Sequence, residues 1–221
     1  MTRLYHFALS PFCRKVRLTL AEKKIDVELV DERYWQPTNE FLRRNPAGQV
    51  PVLKIDGMML AESTAICEYV DETVSEPPLM PRDPKDRAEV RRMVGWFDTK
   101  FHNEVTANLL YERVHKKIMR GGYPDGRAVK IGATRIKYHI DYLTWLLDHR
   151  RWLAGDRLSL ADLAAAAHFS CLDYISDVDW NRSEVVKDWY AKIKSRPSFR
   201  SILADQIPGF IPPPHYTNLD F

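Results

Sequence analysis

The chain has 221 residues, of which 45% are hydrophobic and 29% are charged, and its formal net charge is +3. This composition is typical of a soluble globular protein of one or two domains, and the small charge does not favour nucleic-acid binding. No run reaches the ~18 consecutive apolar residues of a membrane span, and no secretory signal is recognisable.

The three cysteines, Cys13, Cys67 and Cys171, are far apart and odd in number. This spacing argues against a disulfide framework and favours a reducing, cytoplasmic location. No Cys/His spacing suits zinc, so we expect no metal site.

The first third of the chain predicts the element order β-α-β-α-β-β-α. In chain order, these are a strand at residues 3–7, a helix at 14–24, a strand at 27–31, a short helix ending near Asn45, strands at 52–55 and 58–60, and a helix beginning at Ser63. Asp56-Gly57 between the last two strands predicts a type I′ hairpin turn, because both of its central residues need a positive φ.

The first helix begins with a polar residue followed by proline. Ser10 and Pro11 suit the N-cap and first helical positions. Cys13 falls in the first turn, where a thiol pKa can be lowered, but its spacing to Val16 and Leu20 favours a buried structural cysteine. The cations of this helix are expected to be solvated: Arg14, Lys15 and Arg17.

Two dipeptides around the hairpin suggest ligand binding. Pro51 cannot donate to a sheet ladder, and a cis Val50–Pro51 bond would leave the Val50 backbone free to pair with a peptide-like ligand. Glu62-Ser63 precedes a helix, whose N-terminus offers free N–H groups to a carboxylate. The alternative is that Ser63 merely caps its helix and Glu62 is a solvated turn residue.

Residues 45–66 read N-P-A-G-Q-V-P-V-L-K-I-D-G-M-M-L-A-E-S-T-A-I, which resembles the glutathione-binding half of the glutathione transferase superfamily. In that family the residue before V-P, the V-P backbone and the E-S pair hold the glutathione tripeptide. The resemblance therefore implies a glutathione site formed by Gln49, Val50, Pro51, Glu62 and Ser63. It also implies a thioredoxin-like fold, in which S-P-F-C at residues 10–13 takes the place of C-x-x-C.

Several transferase classes place a catalytic Ser or Cys at this point, so the resemblance implies that Ser10 hydrogen-bonds the glutathione thiol. Stabilising the thiolate raises its nucleophilicity. The alternative is that Ser10 only caps its helix, although an N-cap hydroxyl already lies at a positive helix end. Cys13 is the weaker catalytic candidate, because without a cysteine at position 10 dithiol exchange is not expected.

The predicted fold class is an α/β thioredoxin-like domain followed by an all-helical domain. The predicted divisions are the thioredoxin-like domain at residues 1–74, a proline-rich linker at 75–84, the helical domain at 85–206 and an apolar, proline-rich tail at 207–221. Predicted helices cover residues 85–108, 127–148 and 189–203, the last interrupted by Arg196-Pro197. Ser159 and Asp162 form a capping box at the start of the most buried helix.

Two further stretches have alternative interpretations. A basic region surrounds Gly121-Gly122 and consists of Arg113, His115, Lys116, Lys117, Arg120, Arg127 and Lys130. It is either a solvated helix end or a docking patch for an acidic partner. The tail is too apolar for a typical disordered end, and it is either a packed extension or a partner motif.

The segments S-P-F-C-R-K-V-R-L and E-R-Y-W and the end P-P-P-H-Y-x-x-L-D-F resemble a bacterial cell-division branch of the same superfamily. Members of that branch bind filaments of the tubulin-like protein FtsZ and regulate constriction, which implies recruitment to the division site. The superfamily also implies a homodimer. The residues proposed to bind the partner are Lys116, Lys117, Tyr216, Leu219, Asp220 and Phe221.

Two functions follow from these resemblances. The first is an FtsZ-filament-binding regulator of cell division in which glutathione chemistry is vestigial. The second is an active cytosolic glutathione transferase that conjugates glutathione to an electrophile, with Ser10 stabilising the thiolate. Glutathione is then a substrate, and no covalently bound cofactor is expected.

Overall fold

A mixed four-stranded sheet forms the first part of the chain in the computed structural model, which describes residues 1–219. The strands are β1 (Arg3–His6), β2 (Glu28–Asp31), β3 (Val52–Ile55) and β4 (Met58–Ala61), in the order β2-β1-β3-β4. β1 runs parallel to β2 and antiparallel to β3, and β3 pairs antiparallel with β4. Asp56 and Gly57 have φ of 49° and 81°, as the predicted hairpin turn requires.

The helices of this first domain are α1 (Pro11–Glu22), α2 (Asn39–Arg44) and α3 (Ser63–Thr73). Ser10 caps α1 and Thr38 caps α2, each through its hydroxyl oxygen. The N-cap of α3 is Glu62 rather than the predicted Ser63, because the Glu62 carboxylate accepts the Thr64 N–H at 3.2 Å. This thioredoxin-like arrangement confirms the predicted class of the first domain.

The second domain is all-helical, as predicted. Its longest helix begins as α4 (Pro84–Gly95), continues as a π-helical segment (Trp96–His115, the π segment) and ends in the short turn α5 (Lys116–Ile118). The other helices are α6 (Gly126–His149), α7 (Leu160–Tyr174), α8 (Glu184–Lys194) and α9 (Arg200–Leu203). The predicted end at residue 108 was wrong, because the wider π turns do not repeat apolar residues every 3.6 positions.

The predicted capping box of α7 is present and buried. The Asp162 carboxylate accepts the Ser159 N–H at 3.0 Å, and it also accepts hydrogen bonds from the Leu153 N–H and the Trp189 indole N–H, both at 3.0 Å. In α6, Ile131 is 51% exposed, whereas Gly132 allows the close approach to Leu109 of the π segment.

The cations of α1 are buried, which corrects the prediction that they are solvated. Arg14 donates to Asp205 at 3.0 Å and to the Ser170 hydroxyl at 2.9 Å, and Arg17 donates to Asp205 at 2.9 Å. The prediction failed because α1 packs against α7 of the second domain as well as against α3 of its own domain. A face that would be solvated in an isolated first domain is an interface in the full chain.

Lys15 makes a similar connection between the domains. Its ammonium group pairs with the Asp98 carboxylate of the π segment and donates to the Thr64 hydroxyl of α3 at 3.1 Å. Burial alone would raise the pKa of Asp98, but the Lys15 charge lowers it to about 2. The Asp98 carboxylate therefore stays ionised at neutral pH.

The tail packs onto its own domain as far as Tyr216. The Tyr216 side chain is buried and its hydroxyl donates to the Ile202 carbonyl at 3.0 Å. The Tyr174 hydroxyl donates to the Phe210 carbonyl at 2.9 Å, and Ile207 is buried as well. The structure thus favours the packed extension for this part, and a direct contact of the Tyr216 ring with a partner is incompatible with its burial. Asp220 and Phe221 lie outside the described residues.

We expect Asp205→Ala to lower the free energy of unfolding by ~3–5 kcal/mol, because it leaves the buried Arg14 and Arg17 charges without a counter-ion. Asp141→Ala is the matched control, since Asp141 pairs with Arg182 but is 57% exposed, and it should cost less than about 1 kcal/mol. Urea unfolding of both variants measures the difference. Equal costs would show that the α1 contacts do not hold the domains together.

Candidate functional site

Ser10 lies where the first domain faces the π segment. Its N–H donates to the Phe7 carbonyl at 3.0 Å, and its hydroxyl oxygen accepts the Cys13 N–H at 3.3 Å. These bonds fix the hydroxyl at the N-terminus of α1, where the helix dipole favours a nearby negative charge. Ser10 is therefore an N-cap, and its position also suits an interaction with an anionic ligand atom.

Ser10 opens into a cavity of about 310 Å³ between the two domains. The cavity is lined by Ser10, Pro11, Phe12, Tyr34, Gln49, Val50, His102, Thr106, Ala107, Leu110, Tyr111 and His115. We call it the Ser10 cavity. It brings together three residues predicted to form the glutathione site, Ser10, Gln49 and Val50, even though they come from distant parts of the chain.

The other predicted glutathione residues are not among those that line this cavity. The pairing of Val52 with Ala61 places Pro51 and Glu62 at the same end of the β3–β4 hairpin. Glu62 has a φ of 76°, and its carboxylate is used to cap α3. The Ser63 hydroxyl is buried and has no hydrogen-bond partner within residues 1–219.

The loop before β3 is held in a defined conformation. The Val50–Pro51 peptide bond is cis, as inferred for a residue that presents its backbone to a ligand. The Asn45 side-chain amide donates to the Gln49 carbonyl at 2.8 Å. These contacts fix Gln49 and Val50 at the edge of the Ser10 cavity.

Cys13 is a buried structural residue, as its spacing predicted. Its side chain is fully buried, and its sulfur accepts the Phe7 N–H at 3.5 Å. Burial raises the pKa of the Cys13 thiol to about 12. Because the thiolate is the reactive form, Cys13 is not activated as a nucleophile here.

The sequence did not identify the imidazole groups of this site. His102 and His115 both line the Ser10 cavity, and burial lowers the pKa of each to about 4. The His115 Nε2–H donates to the Leu9 carbonyl at 3.2 Å, which corrects its assignment to the surface basic region. His102 and His115 are 13 residues apart, a spacing that has no recognisable meaning in the sequence. The π segment carries both residues and brings both rings to one wall of the Ser10 cavity.

A second concave surface lies behind the same segment. It is lined by Arg113, Val114, Tyr174, Ile175, Ser176, Gly209, Phe210, Ile211 and Pro213, and encloses about 390 Å³. We call it the tail groove. It joins the basic region to the tail, because the Lys117 ammonium lies 5.0 Å from the centre of the Phe210 ring.

The basic region is less cationic than its sequence indicates. Lys116 pairs with Glu112 at 2.9 Å, and Arg113 pairs with Asp177 at 2.9 Å. Lys117 is exposed, as is Leu219 near the end of the tail. Of the residues predicted to bind a partner, these two are accessible in the described part of the chain, and Lys116 is partly so.

Residues 4–78 match the glutathione S-transferase N-terminal domain family, and residues 112–206 match the glutathione S-transferase C-terminal domain family. The chain belongs to the glutathione S-transferase superfamily. This membership agrees with the fold class predicted from the V-P and E-S segments.

Individual glutathione S-transferase relatives match over the whole chain. FtsZ-localized protein A of Caulobacter vibrioides is 48% identical over 99% of this chain and 97% of its own length. The structure of FzlA from C. crescentus has a TM-score of 0.96 with 47% identity, covering 100% of this chain and 99% of that one. A glutathione S-transferase from Rhodospirillum rubrum F11 has a TM-score of 0.97 with 49% identity, covering 100% of both chains.

Among residues 1–219, no helix has the length and apolar character needed to cross a membrane. The same part of the chain contains no group of three or more His, Cys, Asp or Glu side chains arranged to hold a metal ion.

We expect the stability of the protein to fall as the pH is lowered from 6.5 towards 4. The folded-state pKa of His115 is about 4, below its ordinary value of 6.5, so in this window the unfolded chain binds more protons. His115→Gln, which keeps a donor for the Leu9 carbonyl, should reduce this loss by ~1–3 kcal/mol. Urea unfolding at several pH values measures it.

The matched control is His149→Gln, because His149 is exposed on α6. This variant should keep the pH dependence of the natural protein. Buried His6, His139 and His168 and half-buried His102 remain in both variants, so only the difference between the curves reports on His115. If His115→Gln also keeps the original slope, the imidazole is not held neutral by its surroundings.

Proposed function

We propose that this protein is an FtsZ-filament-binding regulator of bacterial cell division. The similarity to FtsZ-localized protein A extends over 99% of the chain at 48% identity, and the FzlA structure superimposes with a TM-score of 0.96. The contact of Lys117 with Phe210 is the observation that supports a specific binding surface. It joins the basic region to the tail, the two stretches that the sequence analysis proposed to bind a partner.

The tail groove offers both apolar contact and positive charge. Ile211 is 95% exposed although it lies in an ordered stretch between two anchored residues, Phe210 and Tyr216. A segment that is already ordered loses little conformational entropy on binding. Ile211 projects from this packed extension beside the tail groove and would add an apolar contact with a partner.

Unpaired charge in the basic region favours an acidic partner surface. Lys117, Arg120, Arg127 and Lys130 are exposed, and within residues 1–219 none of them forms an ion pair. Exposed charges of this kind mainly accelerate association and weaken with added salt. Recruitment of the protein to the division site would follow from filament binding.

The protein is also proposed to form a homodimer. Apolar side chains are exposed on both domains: Met58 and Met59 on the edge strand β4 are 41% and 38% exposed, and Trp145 on α6 is 57% exposed. Pairing the first domain of one subunit with the helical domain of the other would cover both surfaces. A dimer would present two tail grooves to one filament and so increase avidity.

We expect Lys117→Glu and Ile211→Asp each to weaken co-sedimentation with FtsZ polymers by ~10-fold at low salt, a loss that corresponds to about 1.4 kcal/mol. The control is Lys54→Glu, which makes the same charge change on the exposed face of β3. The difference between Lys117→Glu and the natural protein should shrink as salt is added. All three variants should sediment as dimers with unchanged thermal midpoints.

Binding of the natural protein to FtsZ polymers is the first result to establish. If it does not co-sediment at low salt, the proposed function is wrong. If it does, but Lys117→Glu and Ile211→Asp both bind as the natural protein does, the filament site lies elsewhere. Truncation before Tyr216 is not a suitable test, because it removes a fully buried ring and should destabilise the fold.

The second candidate is a glutathione transferase, which the position of Ser10 in the cavity beside Gln49 and Val50 favours. We propose that glutathione chemistry is instead vestigial. Pro51, Glu62 and Ser63 are not among the residues that line the cavity. The Glu62 carboxylate already accepts a hydrogen bond from the Thr64 N–H at the start of α3. A retained fold does not by itself retain an activity.

We therefore expect calorimetric titration with glutathione to show no saturable binding up to roughly 1 mM. The opposite result, binding in the micromolar range together with conjugation of an electrophile, would support the transferase. In that case Ser10→Ala should lower turnover by ~10²-fold, because a hydrogen bond to the thiolate is lost. Cys13→Ser, which changes a buried thiol, serves as the comparison.

A further inference from the structure

The first turns of α6 and the loop before them form a strongly basic surface. From Arg120 to Ile140 the chain carries five cationic side chains and one carboxylate, that of Asp125. The cations are Arg120, Arg127, Lys130, Arg135 and Lys137, and all five are exposed. The excess of four positive charges in this stretch is larger than the net charge of +3 of the whole chain. The remainder of the chain is therefore close to neutral, and the positive charge is concentrated here.

These cations are available to an external partner. Within residues 1–219, none of the five forms an ion pair with a carboxylate. The one acidic side chain among them, Asp125, caps α6, because its carboxylate accepts the Arg127 N–H at 2.8 Å. By contrast, Arg91 on another exposed surface pairs with Glu68 at 2.7 Å. Unpaired like charges repel one another in solution, and an anionic partner relieves this repulsion.

Large apolar side chains project among the cations. Tyr123 in the loop is 92% exposed, and Ile131 on α6 is 51% exposed. Arg127 and Ile131 lie one turn apart on the outer side of α6, whereas Gly132 is buried against the π segment. We call this surface the loop–α6 face. It consists of Arg120, Tyr123, Arg127, Lys130 and Ile131.

The loop–α6 face suits a lipid bilayer better than a protein or a small ligand. Residues 120–127 are all exposed, and neither Tyr123 nor Ile131 lines the Ser10 cavity or the tail groove. A side chain that projects from an exposed loop needs a matching recess in a protein partner, whereas the headgroup region of a bilayer admits it anywhere. Tyrosine is enriched at that level, because its ring is apolar and its hydroxyl is hydrated. Basic side chains around it attract anionic lipids.

We propose that the loop–α6 face binds the surface of a bilayer that contains anionic lipids. Tyr123 and Ile131 enter the headgroup region, and the cations around them contact lipid phosphate groups. Arg135 and Lys137, further along α6, add electrostatic attraction. This face is separate from the tail groove, which none of these residues lines. The inference does not depend on filament binding, although a protein bound through both surfaces would hold a filament at a membrane.

The test is flotation of the natural protein with vesicles of phosphatidylcholine that contain roughly 40% phosphatidylglycerol. We expect the protein to float with these vesicles at low salt and to be released as salt is added. Binding to vesicles of phosphatidylcholine alone should be at least ~10-fold weaker, because the electrostatic attraction is absent. FtsZ takes no part in this measurement, so its outcome is independent of the proposed function.

Arg127→Glu combined with Lys130→Glu should weaken binding to the anionic vesicles by at least ~10-fold, because two attractive contacts become repulsive. The matched control is Lys54→Glu combined with Lys85→Glu, which makes the same charge change at exposed positions of β3 and α4 and should cause a much smaller loss.

Tyr123→Ser should weaken binding by ~5-fold and leave the salt dependence unchanged, because it removes an apolar contact and no charge. All of these variants should keep the thermal midpoint of the natural protein, since every changed side chain is exposed.

Insertion of the loop can be observed directly. The three natural cysteines are buried, so a nitrobenzoxadiazole fluorophore attached to the variant Tyr123→Cys reports on position 123 alone. Its emission should increase and shift to shorter wavelength when the anionic vesicles are added, because the fluorophore leaves water. The same fluorophore on Lys54→Cys should not change.

The inference is overturned if the natural protein does not float with the anionic vesicles at low salt, or if both charge-reversed pairs lose binding equally. It is also overturned if Arg127→Glu with Lys130→Glu weakens co-sedimentation with FtsZ polymers but leaves vesicle binding unchanged, since the face would then bind an acidic protein. Should that double variant not fold, Tyr123→Ser and the fluorophore at position 123 decide. Unchanged binding together with unchanged emission overturns the inference.

Discussion

The structure depends on the burial of three cations of α1 against carboxylates of the second domain. Arg14 and Arg17 share Asp205, and Lys15 pairs with Asp98. A buried charge whose partner is lost costs several kcal/mol, so these pairs strongly restrict how the two domains can be arranged. The Ser10 cavity takes its walls from both domains, and Ser10 is the N-cap of the same helix. The geometry of the site is thus a consequence of the interface.

The Ser10 cavity that results has no Asp, Glu, Lys or Arg among its lining residues. The Ser10 hydroxyl shares the cavity with two imidazoles, whose pKa burial lowers to about 4, and the thiol of Cys13 is buried in its protonated form. Members of one superfamily can retain the fold while changing its activity.

Local features of the fold could be predicted from the sequence, because each depends on a few neighbouring residues. The Asp56-Gly57 turn, the Ser10 cap, the Ser159–Asp162 capping box and the inward Cys13 are of this kind. The predictions were wrong where residues distant in sequence determine whether a side chain is buried. Arg14 is buried by a domain far along the chain, and His115 is turned inward by a helix register that the 3.6-residue pattern does not describe. The burial of Tyr216 likewise depends on a niche formed by Tyr174 and Ile202.

The position of Asp205 and Tyr216 near the end of the chain affects how the protein is synthesised. The first domain leaves the ribosome early, with Arg14 and Arg17 already in place on α1, and domains generally fold in the order in which they emerge. Their counter-ion Asp205 and the core ring of Tyr216 have not yet been synthesised at that time, because both follow the first domain by more than 100 residues. The nascent chain therefore exposes the interface of α1 until Asp205 has emerged. The ion pairs between α1 and the second domain can form only from that point onward.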